Sequence, residues 1–444
     1  MTMITQETAK KLLTKVLSFS QADECECNLN GRTAGNIRYA RNAVSTAGEE
    51  SDVVLTVQST FGKRTGTASI NEFDDASLEK VVKRSEQLAK FAPENQEYVP
   101  VFGKQKYLET PSYAPSTASV TPEDRATAAG ASIMPSKKSK MVSSGFLEEE
   151  VTFSAIMNNK GLFAYNAATN VDFSVTVRTE DGKGSGWASQ DVTDVKQLDT
   201  GKVSQIAIQK AGGSVDAKEM EPGKYTVILE PAASVQLLQN MARNFSQRTA
   251  DEGRSFLSNK LDEGEEGPTN KLGQKMFDER VNIYSDPQHP EVPTAPFGQD
   301  GYPRKRVDWI KGGVVTNMPN SPYWAKKTGM PYIPFGGNII MAGGDESLED
   351  MIQNTRRGVL VTRPWYIRAL DPQTLLYTGL TRDGTFYIEN GKIKYPIKNF
   401  RFNESPIVML NNIESLGKPV RIDGNMIPPM KIRDFTFSSL SDAV

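Results

Sequence analysis

The scarcity of histidine and cysteine is the feature that most restricts what this chain can fold into. Among 444 residues there is one histidine, His289, and there are two cysteines, Cys25 and Cys27. Histidine is the commonest transition-metal ligand and a frequent general base, and a catalytic zinc site normally has three protein ligands. Two cysteines cannot build a disulfide framework. The fold must therefore rest on an apolar core, and a standard zinc hydrolase site is nearly excluded.

The composition fits such a core. Apolar residues make up 38% and charged residues 24% of the chain, as in soluble globular proteins, and the length predicts two or three domains. The net charge of −2 gives no bias toward nucleic acids or acidic membranes. The sequence contains neither an apolar run of roughly 18 residues nor a signal peptide, because residues 1–20 have an amphipathic helical pattern. We therefore expect a cytoplasmic protein without a membrane or nucleic-acid partner.

The first half of the sequence alternates strand and helix patterns. Helices are predicted from Asp74 or Asp75, from Thr121 and from about Thr200 to Ala211, each with a polar cap or a clear apolar face. The dipeptide Pro222-Gly223 marks the main domain boundary. We predict subdomains at residues 1–95 and 96–221, packed together, with strands at 25–29, 37–44, 53–58, 65–69, 148–156, 161–165 and 171–177.

The second half, residues 222–444, has the pattern of a β-rich domain. A strand at 224–229 ends at Pro231, and a helix follows with Val235, Leu238, Ala242 and Phe245 on one face. Ser347 caps a short helix over 348–355. Further strands are predicted at 306–310, 314–317, 358–366, 385–389 and 406–410. The fold class expected is α+β, with a mixed N-terminal part and an antiparallel or barrel-like C-terminal domain.

Several motifs can be interpreted either as functional sites or as purely structural features, and the structural interpretation is preferred for each. Residues 182–186 read G-x-G-x-G but join two strands, whereas a phosphate loop precedes a helix. Cys25 and Cys27 alternate on one strand face and are expected to be buried. His289 lies in a proline-rich loop without a nearby acid or nucleophile. The four carboxylates of residues 261–267 do not have EF-hand spacing and indicate a solvated acidic loop.

Two further kinds of site remain open on sequence alone. Basic residues at 304–306, 356–357 and 363, with Trp365 and Tyr366 beside them, could form a nucleic-acid surface. Strand-end charges and core aromatic residues are the preferred explanation, given the acidic total. Aspartic-type or glycosidase chemistry needs only two carboxylates. Nothing in the sequence selects such a pair from its 54 acidic residues.

Four segments of the second half resemble the TldD/PmbA family. Residues 348–362 are similar to its helix followed by T-x-R-G-hydrophobic-x-V, and GLTRDGTFYIENG at 379–391 is similar to its strand pair ending in I-E-N-G. FGQDGYP at 297–303 and LGQK at 272–275 fit its F-D-x-E-G-x-P and L-G-x-K elements. Residues 37–39 and the helix at 73–89 also fit, so the resemblance spans nearly the full chain.

The resemblance implies that the family's metal site is degenerate in this chain. TldD-type members are zinc peptidases with H-E-x-x-x-H on the helix after a strand ending in proline, and with a late cysteine ligand. Extension from Pro231 places Gln239, Asn240 and Asn244 on the His, Glu and His positions, and no cysteine follows Cys27. Amides bind zinc poorly, and Asn240 cannot replace a glutamate base. The chain therefore resembles the TldE or PmbA branch, which lacks the metal motif.

The function implied is that of a non-catalytic subunit in a TldD/TldE-type peptidase acting on unfolded peptides. The zinc is then expected only in a TldD-type partner, and this chain is expected to have no cofactor, catalytic residue or metal ligand. Without that partner a homodimer is conceivable. Two alternatives stay open: a stand-alone peptidase that uses carboxylates or His289, and a modulator of DNA gyrase or DNA topology, as older family names suggest.

Overall fold

The computed structural model describes residues 4–259, 267 and 269–441. Its N-terminal half contains α1 (Gln6–Ser18), β1 (Glu24–Ala40), β2 (Ala43–Phe61), β3 (Arg64–Ile70), α2 (Asp75–Phe91), α3 (Pro115–Ala118), α4 (Pro122–Lys138), β4 (Met141–Asn158), β5 (Phe163–Thr179), β6 (Ser185–Val192) and α5 (Thr200–Gly213). The C-terminal half continues with β7 (Gly223–Leu229), α6 (Pro231–Arg243), α7 (Gln247–Asp251), β8 (Ile283–Ser285), β9 (Val307–Lys311), β10 (Val314–Val315), α8 (Pro322–Thr328), β11 (Ile340–Met341), α9 (Leu348–Gln353), β12 (Arg357–Val361), β13 (Pro364–Asp371), β14 (Leu376–Thr381), β15 (Thr385–Glu389), β16 (Lys392–Pro396), β17 (Phe400–Glu404), α10 (Pro406–Asn411), β18 (Ile413–Leu416), β19 (Val420–Ile422), β20 (Asn425–Ile427) and β21 (Met430–Leu440).

The N-terminal half is an antiparallel sheet with helices on one face. Its strand order is β3-β2-β1-β4-β5-β6. Alternate residues such as Leu29 and Phe173 point into apolar clusters shared with α1, α2, α4 and α5. The intervening residues, among them Glu148 and Asp172, are directly paired in the β4–β5 register and point to the other face. That other face is therefore polar.

The predicted N-terminal helices are confirmed, and two pairs of predicted strands are each one longer strand. Asp74 caps α2, and Thr121 forms a capping box with Asp124 at α4. Strand β1 runs unbroken through Gly31 and Gly35, although glycine usually weakens a strand. A Cβ on Gly31 would lie 2.1 Å from the Phe153 ring, so this glycine makes room for a neighbouring side chain rather than a turn. Strand β5 likewise joins the segments predicted at 161–165 and 171–177.

The C-terminal half is dominated by sheets, as expected for an α+β chain. The described residues form a nine-stranded sheet, β13-β14-β17-β21-β7-β12-β15-β16 with β18 beside β21, and a six-stranded sheet, β10-β9-β8-β11-β20-β19. One apolar cluster contains residues of both sheets and the buried side of α6, including Leu238 and Met241. This packing fixes α6 at the junction of the two sheets.

Three local predictions in the C-terminal half are wrong. Residues 406–410 form helix α10 instead of a strand, because Pro406 occupies the first helical position and Ser405 caps the Ile407 amide. Residues 358–366 split into β12 and β13, which pair with different neighbours. Phe245 lies beyond the end of α6 but is still buried in its cluster. The cap at Ser347 is confirmed.

Strand β1 pairs with β4, so the predicted subdomains 1–95 and 96–221 share one sheet. The division of the chain at 95/96 and 221/222 itself stays a prediction. Among the helices of the described ranges, none has the length and apolar character required to cross a bilayer.

Candidate functional site

A cleft lies between the polar face of the N-terminal sheet and helix α6. Cavities of about 610, 450 and 200 Å³ meet at Asp423, which borders all three. The largest lies between Asp172 on β5 and Gln239 on α6. The second extends along the start of α6 to Arg363. The smallest touches Asp172 as well as Trp187, a wall residue of the second cavity. The three cavities therefore form one connected cleft.

Helix α6 presents one stripe of side chains to this cleft. Ala232, Gln236, Gln239 and Arg243 border the cavities, and their spacing of four, three and four residues places them on one helix face. Pro231 begins the helix, where its missing N–H costs nothing. The stripe spans about 16 Å at the usual helical rise. That length corresponds to about five residues of an extended peptide.

The three positions predicted as degenerate family-site residues do not converge. Gln239 borders the largest cavity. Asn244 follows the last residue of α6, and its Nδ2 donates to the backbone carbonyl of Asn240 at 2.9 Å. The Oδ1 of Asn240 accepts a bond from Arg243 at 3.4 Å. The side-chain amides of Asn240 and Asn244 are thus bonded to groups at the end of α6. Of the three positions, Gln239 is the one that lines a cavity of the cleft.

These residues do not fit a zinc ion. Zinc in proteins is bound by imidazole, thiolate or carboxylate groups, whereas the three positions offer neutral amides. Searching the described residues gives no group of three or more His, Cys, Asp or Glu side chains arranged to hold a metal ion. The three positions therefore do not supply a set of ligands for a metal ion.

A hairpin formed by β19 and β20 packs against both α6 and strand β6 and forms a further wall of the cleft, which was not predicted from the sequence. Asp423 and Gly424 form its turn with φ of +48° and +67°, the conformation that favours Asp-Gly in two-residue hairpins. Nε of Arg421 donates to Oδ2 of Asp191 at 2.7 Å, and the Gly424 amide donates to the same oxygen at 2.9 Å. Arg421 also bonds Asn170 at 3.0 Å. The Asp-Gly pair between apolar residues was the available sequence signal.

Two carboxyl groups of the cleft have raised pKa values. Desolvation in the cleft, with the charges of Asp191 and Asp423 nearby, raises the pKa of Asp172 to about 6 although part of its side chain meets solvent. Desolvation in the cleft, followed by Asp191, also raises the pKa of Asp423 although this side chain is exposed, and Arg363 opposes the shift. Desolvation and like charge both favour the neutral acid. Both carboxyl groups therefore keep their protons to a higher pH than a free aspartate does.

The second cavity is surrounded by arginine and aromatic side chains. The Arg363 guanidinium lies 4.3 Å from the ring centre of Trp187 and 5.2 Å from that of Trp365. Trp365 is 42% exposed and Tyr366 60% exposed. The interpretation of these two residues as core aromatics is therefore wrong. Their rings are kept at the surface, where they can stack on a ligand.

The remaining sequence candidates lie outside this cleft. His289 is half-buried in a loop, its Nδ1 accepts from the Glu291 amide, and partial burial lowers its pKa. Cys25 and Cys27 are buried free thiols on one face of β1, as predicted. Residues 182–186 join β5 to β6, as predicted, with 182–184 in the connection and Ser185 and Gly186 at the start of β6. The acidic segment 261–267 lies, apart from Gly267, outside the described residues.

Comparison with known proteins defines the family. Models of the PmbA/TldA metallopeptidase domain 1, central domain and C-terminal domain match residues 25–89, 116–214 and 222–439. A metalloprotease PmbA from Escherichia coli O157:H7 is 27% identical over 36% of this chain and 37% of its own length. A metalloprotease from Methanothermobacter thermautotrophicus is 20% identical over 61% of each chain. These matches thus span about a third to three fifths of the curated relatives.

Solved structures share the whole fold. TldE from Thermococcus kodakarensis has a TM-score of 0.86 at 18% identity, with 97% of this chain and 99% of that chain covered. A protein from Bacteroides thetaiotaomicron described as a modulator of DNA gyrase has a TM-score of 0.85 at 21% identity, with 99% and 100% covered. The fold and the matched domains define a metallopeptidase-like protein. The chain belongs to the PmbA/TldD family.

Proposed function

We propose that this protein is a non-catalytic, TldE-like subunit that works with a TldD-type metallopeptidase on unfolded peptides. One observation supports the proposal: α6 lines a cleft, and the resemblance aligns Gln239 and Asn244 of this helix segment with the family's two histidine ligands and Asn240 with its glutamate base. The partner supplies zinc and the bond-breaking chemistry. This chain supplies a wall of the chamber in which the peptide is held. The compartment proposed is the cytoplasm.

The walls of the cleft support a role in holding peptides. An extended chain needs hydrogen-bonding groups rather than a single deep pocket. Gln239 borders the largest cavity and Gln236 the second, and the charged side chains of Arg243 and Asp172 also line the largest one. Side-chain amides can both donate to and accept from a peptide backbone. The arrangement suits main-chain recognition with little dependence on sequence, which is what an unfolded substrate requires.

Reconstitution tests this proposal. An unfolded, fluorescently quenched peptide is incubated with this chain, with a TldD-type partner, and with both, each with and without a chelator. A partner variant whose H-E-x-x-x-H glutamate is replaced by glutamine is the matched control. We expect chelator-sensitive cleavage that is fastest in the mixture and absent with the control partner. Cleavage by this chain alone, unaffected by chelator, contradicts the proposal.

A second candidate function has one observation in its favour. Asp172 and Asp423 border the same cavity, and both have raised pKa values. Pairs of carboxyl groups in different environments can serve as acid and base. If this chain cleaves peptides alone, Asp172→Asn and Asp423→Asn should each abolish that cleavage, with the maximum rate at mildly acidic pH. Wild-type rates in both variants exclude this candidate.

A further inference from the structure

The end of the cleft at the start of α6 has more positive donors than acceptors. Arg363, Arg368 and Arg382 lie in or beside the second cavity and contact its aromatic rings. One buried carboxylate, Asp383, accepts from Arg363 Nη1 at 3.0 Å and from Ser185 Oγ at 2.7 Å. The buried Nε of Arg382 lies 3.8 Å from Oδ2 of the same carboxylate, and Nη1 of the exposed Arg368 donates to the Ile367 carbonyl at 3.2 Å. Each guanidinium carries five N–H donors, so the one carboxylate and the one carbonyl do not use all of them.

The backbone at this site is held in an uncommon conformation. Tyr366 has φ of +56°, and the β13–β14 register shifts between Trp365 and Arg368. A bulge of this kind redirects side chains next to functional sites. A bulky residue in the left-handed region is strained and persists where the surroundings require it. The bulge gives Trp365 and Tyr366 their exposed positions beside the arginines.

Strand β13 is also the last strand of its sheet. Along its length Trp365, Tyr366, Arg368 and Leu370 are exposed. An edge strand offers unpaired N–H and C=O groups to an added strand, and an extended peptide is the usual ligand of such an edge. Arg368 lies on this edge strand, Arg363 directly precedes it, and Arg382 directly follows the neighbouring strand β14. The three guanidiniums are therefore next to the open edge.

We propose that this part of the cleft binds a carboxylate of an extended peptide, held by Arg363, Arg368 and Arg382 and flanked by Trp187 and Trp365. Arginine is suited to this role because its planar fork matches both carboxylate oxygens. The aromatic rings give the adjoining peptide residue an apolar surface. The carboxylate comes either from the C-terminus of the peptide or from an acidic side chain. The proposal rests on the proposed function, because it assumes that the ligand is a peptide.

Asp423 also lines this cavity and is the one acidic side chain among the described residues that do so. Desolvation and the charge of Asp191 raise its pKa, which reduces its repulsion of a second carboxylate. Arg363 is partly buried and forms an ion pair with Asp383. Its substitution is expected to destabilise the fold, so the exposed residues Arg368 and Trp365 are chosen for substitution.

Equilibrium binding of peptides to the full chain tests this site. Three fluorescein-labelled twelve-residue peptides of Ala, Ser and Gly are compared by anisotropy: one with a free C-terminus, one amidated, and one amidated with an internal Glu. We expect Arg368→Gln and Trp365→Ala each to weaken binding of the preferred acidic peptide about five- to tenfold. Binding of the amidated neutral peptide should stay unchanged. Arg357→Gln, an exposed arginine away from the cavities, is the matched control.

The pattern of outcomes identifies the source of the carboxylate and separates this proposal from the previous one. A preference for the free C-terminus assigns the site to peptide ends, and a preference for the internal Glu assigns it to acidic side chains. Equal affinity for all three peptides, or equal effects of Arg368→Gln and Arg357→Gln, overturns the proposal. The assay needs no partner and no cleavage. Carboxylate-dependent binding without cleavage in the reconstituted mixture therefore rejects the subunit role and leaves this site intact.

Discussion

The two faces of helix α6 differ in what holds them and in what they contribute. On the inner face Leu238 and Met241 are buried in the large C-terminal core. On the cleft face Gln239 and Arg243 border the largest cavity. Packing of the inner face places the helix, and the cleft face is free to vary without loss of that placement. The position of α6 therefore does not depend on the side chains that it presents to the cleft.

Removal of Arg421 should have the largest effect, because its buried ion pair with Asp191 joins the β19–β20 hairpin to the N-terminal sheet, in addition to the apolar packing of Ile422 and Ile427. The side chains of Arg421 and Asp191 are 13% and 5% exposed, so Arg421→Met leaves an unpaired buried carboxylate. Loss of one partner of a buried pair costs about 3–5 kcal/mol. Urea unfolding should show this loss in the free energy of unfolding, with Arg357→Gln as the control.

A double-variant experiment tests whether the contact between Arg421 and Asp191 itself stabilises the hairpin. Asp191→Asn should lose less than Arg421→Met, because an amide keeps a hydrogen-bonding oxygen. The double variant should be more stable than the sum of the single changes predicts, since the two groups interact directly. Additive losses would show that Arg421 acts through its other contacts, with Thr193 and Asn170.

Neighbouring residues on α6 should respond very differently to truncation. Leu238→Ala opens a cavity in the core and should cost about 2–5 kcal/mol. Gln239→Ala changes a cleft-facing side chain and should change stability by about 0.5 kcal/mol or less. Parallel urea titrations of both variants measure the contrast. Similar losses would mean that the amide has a structural role, and the distinction between the two faces would fail.

Sequence patterns located α6 and its inner face because periodicity and a proline at the helix start are local signals. The same is true of the caps at Asp74, Thr121 and Ser347, which depend on residues a few positions away. Strand continuity was less predictable. Gly31 interrupts the strand pattern, yet its reason for being glycine is the Phe153 ring on the adjacent strand. Such a reason depends on pairing over more than a hundred residues.

The cleft itself was beyond the reach of local patterns. Asp172, Gln239 and Asp423 are far apart in the chain and meet only because the hairpin docks on the N-terminal sheet. Family resemblance indicated which helix matters but not what faces it. Trp365 and Tyr366 were misjudged because aromatic residues in a strand are usually buried, and here a bulge and an edge position expose them.

The pH dependence of stability should sharpen the description of the sheet-side wall. Asp172 has a pKa of about 6 in the folded chain, above the value of 3.8 for a free side chain. Well below pH 3.8 both states are protonated. As the pH rises, the unfolded chain loses its proton first, so the wild type loses stability until about pH 6. Asp172→Asn cannot ionise and should be more stable than wild type at pH 7.5, and this difference should shrink as the pH falls to 4.

The size of this effect is limited by solvent. Asp172 is partly exposed, so screening should keep the gain below about 1 kcal/mol. Melting temperatures from pH 4 to 8 for both proteins measure it, and Glu180→Gln, an exposed acid beyond the end of β5, is the control. A difference that is constant with pH would show that the substitution acts through packing and not through the charge.

Restoration of the family's metal motif should have the smallest effect, which is measured as bound zinc. It tests directly whether the position of α6 is enough to form a metal site once the ligand types are present. The variant Gln239→His, Asn240→Glu, Asn244→His places the ligand types on α6, but Asn244 follows the helix end and no cysteine occurs after Cys27. Two imidazoles without a third protein ligand do not complete a catalytic zinc site.

After dialysis against zinc, elemental analysis should find far less than one ion per chain, whereas a TldD-type protein treated identically retains its metal. Stoichiometric zinc in the variant would mean that the surroundings of α6 still supply a ligand. The difference in metal binding between this chain and a TldD-type protein would then lie in these three side chains alone.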